Sequence, residues 1–170
     1  MSSSVGAQPW EPPVAVQSTI TVIVASFPDR PDFTISLEIL QEPKAQQAYR
    51  PAVGRNGVPY LFDLSACEKS VLRNLISTAL IRDIGLRRFP LFNAVGNEPL
   101  KLDVTVHYHV SRDKDVNNMC KFLFDTLQGV FYLNDKSIWE LEAKKYAVQE
   151  AETIDGNQPK TVFHITYCSM

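Results

Sequence analysis

Apolar and polar positions alternate with a period of two in five places along this chain, and recur with a helical period in two. At Thr19–Phe27, Ile20, Val22 and Val24 alternate with Thr19, Thr21 and Ile23, the pattern of a half-buried strand. Phe33–Leu40 repeats it, with Phe33, Ile35, Leu37 and Ile39 on one face. Between them, Pro28-Asp29-Arg30-Pro31-Asp32 places two prolines where a ladder would need donors, so the strands are predicted to form a hairpin. Leu100–Val110 is the clearest strand: Leu100, Leu102, Val104, Val106, Tyr108 and Val110 point one way, and Lys101, Asp103, Thr105, His107 and His109 the other. Ser137–Val148 reads as a strand with Trp139, Leu141 and Ala143 on its apolar side. Thr161–Cys168 closes the chain after a polar turn at Gln149–Pro159.

Ser65 and Glu68 have capping-box spacing and open a helix that runs to Ile84. Val71, Leu72, Leu75, Ile76, Ala79 and Leu80 form its expected apolar stripe, and Gly85 ends it. A second helix is predicted over Val116–Val130, burying Met119, Phe122, Leu123, Leu127 and Val130. Gln41–Asp63 has no sustained period and reads as a long loop carrying Lys44, Arg50, Arg55, Gly54 and Gly57. Loops of that length are often functional, and a surface excursion accounts for it equally well. The sum is an α+β fold: one sheet of about five strands with two helices packed on it. A Ser- and Pro-rich arm at 1–18 precedes the domain at 19–170.

Composition narrows the function classes. The chain has 170 residues, 45% hydrophobic, with a net charge of −2, so nucleic-acid contact would need a local basic patch on a mildly acidic body. Its three cysteines are widely spaced among apolar neighbours, which suits reduced thiols and an intracellular setting. Nothing in the sequence is long and apolar enough for a membrane span, and a secretory start is not expected.

Candidate chemistry collects around the second helix. Asp113, Asp115, Asn117 and Lys121 stand at the strand-to-helix junction, and Asn134-Asp135 follows the helix. Asp115 is also an ordinary N-cap, and Asn134-Asp135 an ordinary turn dipeptide. His107 and His109 share a strand face, which an exposed polar surface explains without a metal. Arg82, Arg87 and Arg88 at the end of the first helix complement its dipole, with phosphate binding as the sharper alternative.

Together these residues resemble the RusA-type Holliday junction resolvases. Asp115-Val116-Asn117-Asn118-Met119-x-Lys121-x-x-x-Asp125-x-Leu127, then Val130-Phe131-Tyr132-Leu133-Asn134-Asp135-Lys136-Ser137-Ile138 and Lys145, follow the family's Asp-x-Asp-Asn-Leu-x-Lys-x-x-x-Asp-x-Leu signature, its Asp-Asp pair and a strand ending in Lys. The likeness covers Lys101 to Val148, and more faintly Phe33–Arg50 and the first helix; the strand at Thr19–Phe27 looks like an addition. It implies a homodimeric, Mg²⁺-dependent endonuclease acting on branched DNA, with Mn²⁺ able to substitute. Asp115, Asn117, Lys121 and Asp135 take the catalytic positions. Asp115, Asn117 and Asp135 hold the metal, with Asp113 as a further candidate ligand. Arg50, Arg55, Arg112, Lys114, Lys121, Lys136 and Lys145 are the DNA-contact candidates.

Two departures stand out. The family's second aspartate falls on Asn117, and the first of its Asp-Asp pair on Asn134. Each change keeps a ligating oxygen and removes a charge that a hard cation prefers. A RusA-like protein that binds branched DNA without cutting it, or a dimeric interaction module without a nucleic-acid role, are the alternatives. The nuclease expectation assumes that the acidic corners on either side of the second helix meet around one divalent ion.

Overall fold

A computed structural model of the chain describes residues 19–24, 33–85, 101–148 and 158–168. The expected arm at 1–18, the turn at 28–32, Arg87, Arg88 and most of the turn at 149–159 lie outside the described residues. The elements are β1 (Thr19–Val24), β2 (Phe33–Leu40), β3 (Arg50–Val53), β4 (Pro59–Phe62), α1 (Ala66–Ile84), β5 (Lys101–Val110), α2 (Val116–Leu127), β6 (Ile138–Ala147) and β7 (Lys160–Cys168). Five strands make one sheet in the order β1-β2-β7-β5-β6, and β3 and β4 pair separately. Every neighbouring pair in the main sheet is antiparallel except β5 and β6, which α2 connects as a parallel crossover. The α+β architecture is therefore as the pattern indicates.

Strand alternation sends one residue in two to the helix side of the sheet. Ile35, Leu37 and Ile39 of β2, Val104, Val106 and Tyr108 of β5, and Phe163, Ile165 and Tyr167 of β7 are buried there. Leu72, Ile76 and Leu80 of α1 and Met119, Phe122 and Leu123 of α2 complete the same core. Gly85 stops α1 at a backbone φ of 85°, a conformation costly for any residue with a Cβ.

Several expectations are corrected. Ser65 does not cap α1: its own backbone is helical (φ −91°, ψ −3°), and its Oγ accepts the Gln47 N–H at 2.9 Å. Glu68 pairs with Lys44 instead of reaching back. Val71 and Leu75 lie beside the true stripe and are exposed, because the helix turns Leu72, Ile76, Ala79 and Leu80 inward. α2 ends at Leu127, since Gln128 is extended; Val130 is buried from the turn that follows. Trp139 and Leu141 are exposed because β6 is an edge strand. The supposed loop at Gln41–Asp63 contains the β3–β4 hairpin. Its four-residue strands are exposed on both faces, so no apolar period marks them.

Candidate active site

β5 ends at Val110, and the chain turns through Asp115 into α2. Asp115 has extended backbone (φ −69°, ψ 126°), and its Oδ1 accepts the Asn118 N–H at 3.1 Å. The capping role is thus met with one carboxylate oxygen. Four-residue spacing then puts Asn117, Lys121 and Asp125 on one face of α2. With Asp135, Leu141 and Ala143 they line a groove of about 600 Å³ between α2 and β6.

Asp125 is tethered from behind. Lys69, a buried lysine of α1, donates to Asp125 Oδ2 at 2.6 Å and to Asp63 Oδ2 at 2.9 Å. Burial alone would pull the pKa of the Lys69 ammonium down, but the hydrogen bonds it donates to Asp125 and Asp63 outweigh burial and raise it. Burial likewise opposes ionisation of Asp63, yet Lys69, Gln46 and the Ser65 N–H hold its carboxyl below the usual value. Arg73 donates to the carbonyls of Asp125 and Thr126, which closes the last turn of α2. Sequence reasoning missed Lys69 and Arg73, because a lysine and an arginine on a helix look like solvated surface until the partner helix is in place.

The two acidic corners stand at the two ends of the β5–α2–β6 crossover. A parallel crossover sends its helix back along the strands, so the residue before the helix and the residue before the next strand sit at opposite ends. Asp115 is at the N-terminus of α2. Asp135 opens a 3₁₀ turn before β6 and lines the same groove as Asp125. The ten residues from Asp115 to Asp125 rise about 15 Å along the helix axis.

The other candidate residues are distributed as follows. Asp113 accepts the Lys145 ammonium at 2.6 Å, and Lys145 also donates to the Lys114 carbonyl. Lys114 pairs with Glu42 at 2.9 Å. Neither Asp113 nor Asp115 lines the groove. Arg112, Lys121 and Lys136 are exposed and make no ion pair among the described residues, and the same holds for Arg50 and Arg55. The Asn134 side chain accepts the Lys136 N–H at 3.0 Å. His107 and His109 lie on the open face of the sheet against the Tyr146 ring.

Among the described residues, no cluster of three or more His, Cys, Asp or Glu side chains could hold a metal. The groove and its ends offer hard oxygen donors in the Asp115, Asp125 and Asp135 carboxylates and the Asn117 amide, beside the Cys120 thiol. That set suits Mg²⁺, which is held by one or two carboxylates and otherwise keeps water or takes phosphate oxygens.

Residues 93–155 match the family model described as Endodeoxyribonuclease RusA, a family of Holliday junction resolvase-type nucleases. The matched span holds β5, α2, the Asp135 turn and β6, and so every residue of the groove. No curated protein matches the chain.

Proposed function

Because the chain carries a RusA-like domain, we propose that it is a Mg²⁺-dependent, structure-selective endonuclease that hydrolyses phosphodiesters in Holliday junctions or other branched DNA as a homodimer. The observation that carries the reading is the alignment of Asn117, Lys121 and Asp125 along one groove with Asp135, inside the matched span.

Asp115, Asn117 and Asp135 would hold the ion. Bound there, Mg²⁺ (or Mn²⁺) supplies an activated water and neutralises charge on the phosphate. The chain's own residues do the rest. Lys121, exposed at the middle of α2 and unpaired with any described carboxylate, stabilises the phosphate charge that grows in the transition state. Lys69 keeps Asp125 in place at the end of the groove. Arg112 and Lys136 supply backbone contacts; Lys114 and Lys145, already bound to Glu42 and Asp113, contribute less.

The rise of about 15 Å along α2 from Asp115 to Asp125 supports a reading with two copies. A two-fold axis setting the helices of two copies head to tail would bring one copy's Asp135 to the other's Asp115. Complementation tests this. Asp115→Asn and Asp135→Asn proteins are each expected to be inactive on a labelled four-way junction in Mg²⁺, while their mixture recovers cutting at one site per mixed dimer. A mixture as inactive as its components would refute the shared site, and no cutting by the wild-type chain in Mg²⁺ or Mn²⁺ would refute the nuclease.

A second reading is favoured by Asn117 and Asn134, which stand where the family has carboxylates: the protein binds branched DNA and cuts it poorly. Under it, Asn117→Asp raises cleavage and leaves junction affinity near that of the wild type.

A further inference from the structure

The β3–β4 hairpin is a two-stranded ribbon outside the main sheet. Its faces follow from its register. Arg50 pairs with Phe62 and Ala52 with Tyr60, so these share one face; Pro51 pairs with Leu61 and Val53 with Pro59 on the other. Both faces are uncovered: Tyr60 is 50% exposed, Phe62 47%, Leu61 68% and Val53 69%. Ala52 is too small to shield the Tyr60 ring opposite it. An isolated ribbon with large apolar side chains on both faces is unusual, because a soluble surface gains nothing from it.

The stem, by contrast, is pinned. The Gln46 N–H donates to the Asn118 carbonyl at 2.8 Å, and the Gln46 side chain to Asp63 at 2.9 Å. Gln47 bonds Ser65, and Asp63 is bound by Lys69. Asn118 follows Asn117 of the candidate active site and Lys69 tethers its Asp125, so the stem of the ribbon is tied to the helices that carry that site. Tyr49, at the foot of β3, lies 5.3 Å from the Lys121 ammonium, and Gln46–Tyr49 with Asn118 and Lys121 enclose a pocket of about 260 Å³.

We propose that this hairpin is a wedge that enters the branch point of a DNA junction, with Tyr60 and Phe62 stacking on bases unpaired there. The proposal rests on the nuclease reading and adds a base-binding site to it. Charge selects the occupant. No acidic residue lies between Pro43 and Phe62, whereas Arg50 and Arg55 flank the aromatic face without carboxylate partners among the described residues. Cations beside uncovered rings fit a phosphate backbone carrying exposed bases, every one of which offers a π-face. Pro51 and Pro59 remove donors from both strands, which disfavours a protein strand adding to the ribbon. Four-residue strands reach roughly 13 Å, enough to span several base steps.

The test compares a four-way junction carrying 2-aminopurine at the branch point with a linear duplex of the same length, without divalent metal so that binding is read apart from cutting. The Tyr60→Ala/Phe62→Ala protein, with a wild-type circular dichroism spectrum, should lose roughly tenfold in junction affinity, as expected from one base's stacking. Its duplex affinity should stay unchanged. The 2-aminopurine emission change seen with the wild type should disappear, and return in the ring-preserving Tyr60→Phe/Phe62→Tyr protein. Equal affinities for the junction, or equal losses on junction and duplex, would overturn the wedge while leaving a wild type that still cuts junctions as a nuclease. A wild type that binds neither DNA overturns both readings.

Discussion

Replacing Lys69 by Met is the most revealing perturbation of the fold beneath the site. The side chain is 8% exposed and holds Asp63 and Asp125, which are 22% and 40% exposed. Met keeps the length and apolar stem but leaves two carboxylates facing each other without their cation. Removing one partner of a fully buried pair costs about 3–5 kcal/mol. Water can resolvate the more exposed Asp125, and Asp63 keeps Gln46 and the Ser65 N–H, so about 2–3 kcal/mol is expected here. For a chain of this size that lowers the melting temperature by about 5–10 °C. The pH dependence identifies the cause. Lys69 has a raised folded pKa, so its contribution is complete below the ordinary 10.5 and is lost only as pH rises through the folded value. Asp63 has a depressed folded pKa, so its contribution is present above the ordinary 3.8 and is lost as pH falls through the folded value. Thermal melts of both proteins should therefore differ most across neutral pH and converge in acid once the carboxyls are protonated. A gap that is absent at neutrality, or that persists undiminished in strong acid, would refute the electrostatic account.

Asp115→Ala should cost about 1 kcal/mol through loss of the α2 cap and also abolish cleavage, whereas Asp115→Asn keeps a capping oxygen and should lose cleavage alone; denaturant melts beside junction assays separate the two. His109 is pushed below the ordinary 6.5 by burial and then by Lys160, so the unfolded chain protonates first and stability should decline as pH drops below that value. His109→Gln should flatten that limb of a melting-temperature profile; an unchanged slope would point to other groups. Lys145→Ala should leave the melting temperature unchanged, because its partner Asp113 is solvent-exposed and the pair is screened by water.

The strands of the main sheet were legible because each buries one face. Ile35, Leu37 and Ile39, or Val104, Val106 and Tyr108, advertise the core at every second residue. The β3–β4 hairpin advertised nothing of the kind, since neither face is buried. Its only local signal was Asn56-Gly57, a dipeptide suited to tight turns, with Gly57 at a φ of 76°. The Ser65 cap failed for a related reason: a capping box is a local pattern, and the Gln47 backbone, eighteen residues back, competed successfully for the same hydroxyl.

Residue type and spacing alone determined that Asn117, Lys121 and Asp125 belong together, because four-residue steps on a helix share a face whatever surrounds them. They could not determine where Asp135 stands relative to Asp115, nor that Lys69 holds Asp125. Strand direction decided the first: α2 links parallel β5 and β6, and a parallel link returns the chain to the starting end of the sheet. Helix packing decided the second, by setting α1 against α2 so that one buried ammonium faces two carboxylates. Both are relations between segments distant in sequence, and only the folded chain holds them.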